Sequence, residues 1–390
     1  MSEASKYFDP YDPEVLEDPY PHFARFRAAD PVHYNAEMDF WFAFRHADVL
    51  SALREPQVFS SERWLFLDQN PDLFAPNMQL TDPPRHDGLR RLALDTFTRS
   101  RVRKLEPRVR EIARDLVDTF RERGEADFSE ELAWPFPATV ICELLGVPRE
   151  DQALFGDWSH ALAQGIEPGK SGGAAAIRSI HGYFDGLVKK RRDNPQDDLI
   201  SDMIGARLPD GEALSHQDLV GFCFLILVAG HETTTHLLGN SLALLAERPD
   251  LRKRLSTDPS VYPTATEELL RWVTPAQGLS RTTTRPVVLG GKELPEGARV
   301  HLLFASANRD PEIFDAPDEV DLDRNPNPHL AFGYGVHFCL GAKLARLEIQ
   351  VALEELLGAI PNFELTVDRV PRLAQPLIRS LERVPMRFQL

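Results

Sequence analysis

The longest apolar run of the chain, residues 219–230, is apolar on every side of a helix, and a helix apolar all round is a buried one. Ser215-His216-Gln217-Asp218 reads as a capping box that opens it. The run then changes character. Gly230-His231-Glu232-Thr233-Thr234-Thr235-His236 inserts a carboxylate and several hydroxyls, which is expensive inside a buried helix unless they serve something. A second helical pattern follows Cys339, with Leu340, Leu344, Leu347, Val351 and Leu353 at roughly helical spacing. Near the start, Val32-His33-Tyr34 and Phe40-Trp41-Phe42-Ala43-Phe44 read as a hairpin, and 47–55 as a helix. Another helix begins after Pro83-Pro84, most of 109–194 is helical, and Thr264-Ala265-Thr266-Glu267 reads as a further capping box. Residues 60–80 carry bulky apolar side chains, among them Trp64, Phe66, Phe74 and Met78, without periodicity. Such a segment packs on the core or lines a pocket.

Composition changes this picture little. The 390 residues are 43% apolar and 27% charged, as in an ordinary globular protein, and no linker or repeat divides them. The net charge of −16 argues against nucleic acid and anionic membrane as general partners. Three cysteines make no disulfide framework and fit a reducing compartment. The opening residues lack the basic and apolar regions of a signal peptide, and no apolar run approaches the ~20 residues that span a bilayer. The expectation is a soluble, cytoplasmic, monomeric protein.

Candidate chemistry sits in a few strings. Cys339 lies in Phe332-Gly333-Tyr334-Gly335-Val336-His337-Phe338-Cys339-Leu340-Gly341, just before a helical pattern. There a helix N-terminus favours the thiolate, and the glycines let backbone approach a flat partner closely. The plainer reading is a buried structural cysteine in a glycine turn. His86 and Arg90, four apart on one helical face, suit a carboxylate, or form a solvated basic face. Residues 85–114 hold ten Lys/Arg against four Asp/Glu, densest at Arg99, Arg101, Arg103, Lys104, Arg108 and Arg110. They suit a solvated helix or a dock for an acidic protein. Gly165-Ile-Glu-Pro-Gly-Lys-Ser ends like a phosphate loop, but has three residues between its glycines and no strand before it. His231 and His236 are five apart, about 140° around a helix, so they cannot share a zinc ion from one face.

The cysteine string resembles the haem-ligand loop of the cytochrome P450 family. Its fixed positions are filled by Phe332, Gly335, Cys339 and Gly341, with Gly333 inside the loop. Ala229, Gly230, Glu232 and Thr233 resemble the family's Ala-Gly-x-(Asp/Glu)-Thr signature, and Glu268-x-x-Arg271 with Arg324 its structural triad. The resemblance spans nearly the whole chain. It implies a mainly α fold with a smaller β-rich region in one domain, 1–390, holding haem b between the long helix and the cysteine-loop helix. Cys339 would bind the iron, and His86, Arg90, Arg281 and His337 the propionates. Gly230 would thin the helix over the macrocycle, and Glu232 and Thr233 would manage protons for O–O cleavage.

The implied activity is monooxygenation of a hydrophobic small molecule by O2, hydroxylation or epoxidation. Electrons would come from a separate ferredoxin or flavodoxin system docking near Arg99, Arg101, Arg103 and Lys104. Substrate contacts would come from Trp64, Phe66, Phe74, Met78, Leu225, Val228, Ala229, Ala276, Gln277, Leu279, Leu377 and Ile378, with a Pro376-Leu377-Ile378 turn reaching back to the pocket. The alternatives are a peroxide-driven peroxygenase and a haem sensor without turnover.

Overall fold

A computed structural model describes residues 7–62, 77–97, 99–165 and 172–389. The predicted substrate residues Trp64, Phe66 and Phe74, and the glycine string at 166–171, lie outside them. The described residues fall into two compact units, each assembled from three separated segments.

The first unit comprises described residues of 1–69, 263–339 and 372–380. Its centre is a five-stranded sheet in the order Val32–Asn35, Phe40–Ala43, Arg299–Leu302, Leu279–Thr283, Phe59–Ser60. The predicted hairpin is present, antiparallel, with His33 opposite Phe42. Only Phe40–Ala43 against Arg299–Leu302 runs parallel. The short hairpin Val287–Leu289/Lys292–Leu294 turns on Gly290 and Gly291, both at positive φ, as a two-residue turn requires. Phe8, Phe23, Phe26, Phe40, Phe42 and Phe44 make an aromatic core in which Phe8 meets Phe42 and Phe44 edge-on.

The second unit comprises described residues of 70–262, 340–371 and 381–390. The helix His216–Glu247 runs through it, with Ser215 and Asp218 forming the expected reciprocal capping box. It packs against Pro135–Leu145, Gly172–Asp193 and Ala342–Ala359. Arg99–Phe120 also lies on Ala342–Ala359. A small sheet orders Glu125–Asp127, Pro385–Phe388 and Phe363–Leu365.

One start differs from expectation. The helix carrying Glu268 begins at Tyr262, led in by a 3-10 turn over Pro259–Val261 whose Asp258 side chain accepts from Ser260 N–H. Thr264 is therefore inside the helix, and its capping pattern is not used as a cap. Of the described residues, no helix is long and apolar enough to cross a membrane.

Candidate functional site

Cysteine chemistry separates the three thiols. Cys142 and Cys223 are buried in apolar helices. Burial pushes the Cys142 thiol up to about 12, helped by the Glu143 charge, and raises Cys223 as well. Cys339 is half-buried, and no disulfide joins any of the three. A thiolate ligand must be deprotonated and reachable, so only Cys339 qualifies.

The loop that carries it is closed by backbone bonds. Cys339 N–H donates to the Phe332 carbonyl at 2.9 Å, Phe338 N–H to Gly335 O at 3.1 Å, and Gly333 N–H to Leu330 O at 2.9 Å. Gly333 and Gly335 have φ of 67° and 72°, which glycine adopts at no steric cost. A side chain at Gly335 would also strike the Leu53 carbonyl, its Cβ 2.6 Å away. The helix Ala342–Ala359 begins after Gly341, three residues past Cys339.

In the same unit, the structure joins Glu268, Arg271 and Arg324. Arg271 Nε and Nη2 donate to Glu268 Oε2 and Oε1 at 2.8 and 2.7 Å, and Arg324 Nε to Oε2 at 3.1 Å. Asn327 Nδ2 at 3.1 Å and Asp321 N–H at 2.9 Å add to the same carboxylate. Arg271 also donates to the carbonyls of Asn308, Pro317 and Glu319. Glu268 and Arg271 are wholly buried, and a buried ion pair is tolerable only when its remaining donors and acceptors are filled in this way.

Arg281 is buried on Leu279–Thr283, its Nη1 donating to the Ser280 carbonyl at 2.7 Å. His337 Nε2 meets Ser61 Oγ at 3.1 Å. Ser61 had no signal in the sequence, since a lone serine before an apolar stretch carries none. The Pro376-Leu377-Ile378 segment lies against Ala276 and Gln277. Ala276 bridges Ile378, Gln277 N–H donates to Leu377 O at 2.8 Å, and Gln277 Nε2 to Pro376 O at 3.3 Å. Gln277 is thus buried and tied to backbone, while Leu279 is half-buried.

In the second unit, the long helix is buried between Leu219 and Leu245 except for one stripe. Leu225, Ala229 and Thr233, each four residues from the next, stand at least partly open, with Val228 and Gly230 beside them. Thr233 Oγ1 donates to the Ala229 carbonyl at 2.8 Å, so its lone pairs are what the hydroxyl offers outward. Glu232 is buried at 8% exposure. A Cβ at Gly230 would lie 2.7 Å from Ile141 Cδ1, so this glycine also has a packing reason on the neighbouring helix.

The rear of the same turn is polar too. His231 Nε2 meets the Trp134 carbonyl at 2.9 Å, and the rings of both His231 and His236 face the Trp134 ring edge-on. Burial lowers His231 to about 4 and His236 to about 3. Among the described residues no group of three or more acidic, His or Cys side chains could hold a metal ion.

His86 and Arg90 share a face of Arg85–Thr96 as expected. His86 is buried, its Nδ1 3.1 Å from Asp87 Oδ1, and burial lowers its pKa. Met78 is buried on a 3-10 turn, Met78–Leu80. On Arg99–Phe120, Arg108 is paired with Glu111 and Glu143, and Arg110 with Glu354 and Glu355. Those two arginines bind the protein to itself, whereas Arg103 and Lys104 are exposed, as is Arg114, which pairs with Glu355. The helix holds Arg99 and Arg101 as well.

The donor set therefore suits a haem. In the first unit Cys339 offers an accessible thiol in a glycine loop and Arg281 a buried guanidinium, and in the second unit His86 and Arg90 share one helix face.

Known proteins agree. A profile described as cytochrome P450 matches residues 168–259 and 262–382. Cytochrome P450 130 of Mycobacterium tuberculosis is 38% identical over 96% of both chains. Vitamin D(3) 25-hydroxylase of Pseudonocardia autotrophica is 40% identical over 95% of this chain and 94% of its own. The solved structure of cytochrome P450 CYP109Q5 from Chondromyces apiculatus superposes with a TM-score of 0.91 at 35% identity, covering 98% of both chains.

Proposed function

The chain belongs to the cytochrome P450 family and is a haem b-binding monooxygenase, and from that premise we propose how its residues divide the work. The observation that carries the assignment is Cys339, the one cysteine that is not buried, held in a loop closed by its own N–H on Phe332. When bound, the haem supplies activation of dioxygen and insertion of one oxygen atom into a C–H or C=C bond.

Cys339 would hold the iron as a thiolate. Gly333, Gly335 and Gly341 keep the backbone around it free of side chains. His86, Arg90, Arg281 and His337 would hold the propionates. Glu268, Arg271 and Arg324 fix the segment that leads into the loop. Thr233 would receive and pass protons at Oγ1, since its own proton is engaged by the Ala229 carbonyl. Glu232, next in the chain and buried, would supply those protons from the solvent side.

The substrate is proposed to be a hydrophobic small molecule. Support comes from the apolar part of the open stripe, Leu225, Val228 and Ala229, and from the vitamin D(3) named for one relative. Ala276, Leu279, Met78, Leu377 and Ile378 are proposed as further contacts. Electrons come from a redox partner, proposed to be an acidic ferredoxin or flavodoxin meeting Arg103 and Lys104. Interleaving of both units along the sequence supports one functional domain, and three cysteines outside any disulfide a reducing compartment.

The test is electron-driven turnover of a panel of hydrophobic compounds with a surrogate ferredoxin and its reductase. Product carrying one atom of labelled O2 supports the proposal. Electron consumption that never yields oxygenated product across steroid, terpenoid, fatty-acid and macrolide classes contradicts it.

A further inference from the structure

Two consecutive carboxylates on the helix Tyr262–Val273 point different ways, as neighbours on a helix must. Glu268 faces the arginines. Glu267 meets His329 Nε2 through its Oε2 at 3.2 Å. The His329 side chain is 4% exposed. Its other nitrogen, Nδ1, accepts the Ala331 N–H at 3.2 Å.

That pair of bonds fixes the proton. Backbone N–H can only donate, so Nδ1 carries a lone pair, and Nε2 carries the hydrogen that Glu267 receives. The imidazole is therefore neutral. Its acceptance of an N–H two residues on imitates the turn an asparagine makes with its own backbone. The His329 ring also lies 6.1 Å from the Phe332 ring, and Phe332 is the residue whose carbonyl receives Cys339 N–H. The adjoining Leu330 N–H is held by Asn308 Oδ1 at 2.6 Å.

We propose that His329 is a positioning residue for the thiolate loop, a neutral imidazole clamp that ties the Leu330–Ala331 peptide, and through the adjoining Phe332 also Cys339, to Glu267. The inference rests on Cys339 being the haem ligand. Its physical content is that an outer partner orients an inner ligand. Without the clamp the segment from His329 to Phe332 loses both its side-chain anchor and its turn. The Cys339–Phe332 bond then loosens, and the sulfur is less firmly held as a thiolate.

The test compares wild type with His329→Leu, His329→Asn, Glu267→Gln and Glu267→Leu. It reads the reduced, carbon monoxide-bound spectrum and the rate of haem transfer to an apoglobin. In His329→Leu most of the thiolate band should give way to the band of a neutral thiol, with haem lost about tenfold faster. His329→Asn keeps an acceptor for Ala331 N–H but does not reach Glu267, so it should fall between. Glu267→Gln keeps the acceptor oxygen and should stay near wild type. Glu267→Leu should match His329→Asn, and the two together should be no worse than either, because one link is removed once.

A wild-type thiolate band with the same band and haem transfer rate in both Leu variants overturns this inference alone. A lowered melting temperature with an unchanged spectrum overturns it as well. A wild-type protein that binds haem without a thiolate band overturns the parent reading and this inference with it. Should His329→Leu fail to fold, the two Glu267 variants decide the matter by the same readouts.

Discussion

At the scale of single residues, burial sorts groups that sequence alone leaves equal. Cys142, Cys223 and Cys339 are one letter each in the chain, and only the last is reachable. Thr233 is distinguished from Thr234 and Thr235 by standing on the open stripe, where its neighbours are buried. Replacing Thr233 by Ala removes the hydroxyl without disturbing a packed contact, so the thiolate spectrum should stay intact. Oxygenated product per electron should fall by roughly 10²-fold if the hydroxyl manages protons. Product and peroxide measured against electrons consumed check this, and unchanged coupling would remove Thr233 from the mechanism. Glu268 is the opposite kind of residue. Replacing it by Ala leaves two arginines buried without their carboxylate, costing about 3–5 kcal/mol. The denaturant midpoint should drop accordingly, with loss of haem incorporation.

At the scale of elements, the long helix is where reading and structure meet best. Its cap, apolar run and polar interruption were all in the letters, because a buried helix needs apolar residues on every side and any exception stands out. The rear of that turn was not legible. That His231 and His236 share Trp134 depends on where Trp134 lies, a contact made across a hundred residues. Of the triad, Glu268 and Arg271 were legible from their helical spacing and Arg324 from the family resemblance. Asn327 and the Asp321 N–H arrive from an irregular segment with no periodicity to read.

These buried groups set a pH dependence. His231 and His236 titrate near 4 and 3 in the folded protein, against about 6.5 unfolded. Between those values the unfolded chain binds more protons, so stability must fall as pH drops from about 6.5 toward 4, by about 3 kcal/mol for each histidine. Glu348 acts in the opposite sense. Burial raises its pKa well above the usual range, while Thr234 pulls the other way. Above about 4.5 the unfolded carboxyl ionises and the folded one does not, so it costs stability as pH rises. The melting midpoint should decline from pH 6.5 to pH 4, and His236→Asn should flatten the decline. A midpoint constant over that range would mean these histidines are not held neutral by burial.

At the scale of the whole chain, the charge of −16 contrasts with the basic stretch on Arg99–Phe120. The structure thins that stretch, since Arg108 and Arg110 are committed to internal pairs. Lys104→Glu combined with Arg103→Glu should slow reduction by an acidic donor and weaken its salt dependence, with stability unchanged. Arg110→Glu should instead lower stability, because it places like charges against Glu354 and Glu355. Stopped-flow reduction rates across ionic strength distinguish the two.

The claim on which everything else stands is that Cys339 holds the haem as a thiolate. The most direct test is the absorption spectrum of the reduced, carbon monoxide-bound protein, wild type beside Cys339→Ser. A strongly red-shifted Soret band is expected in the first and its absence in the second, while Cys142→Ser and Cys223→Ser retain it. A wild-type band typical of a histidine or neutral thiol ligand, or a red-shifted band that survives Cys339→Ser, would contradict the claim.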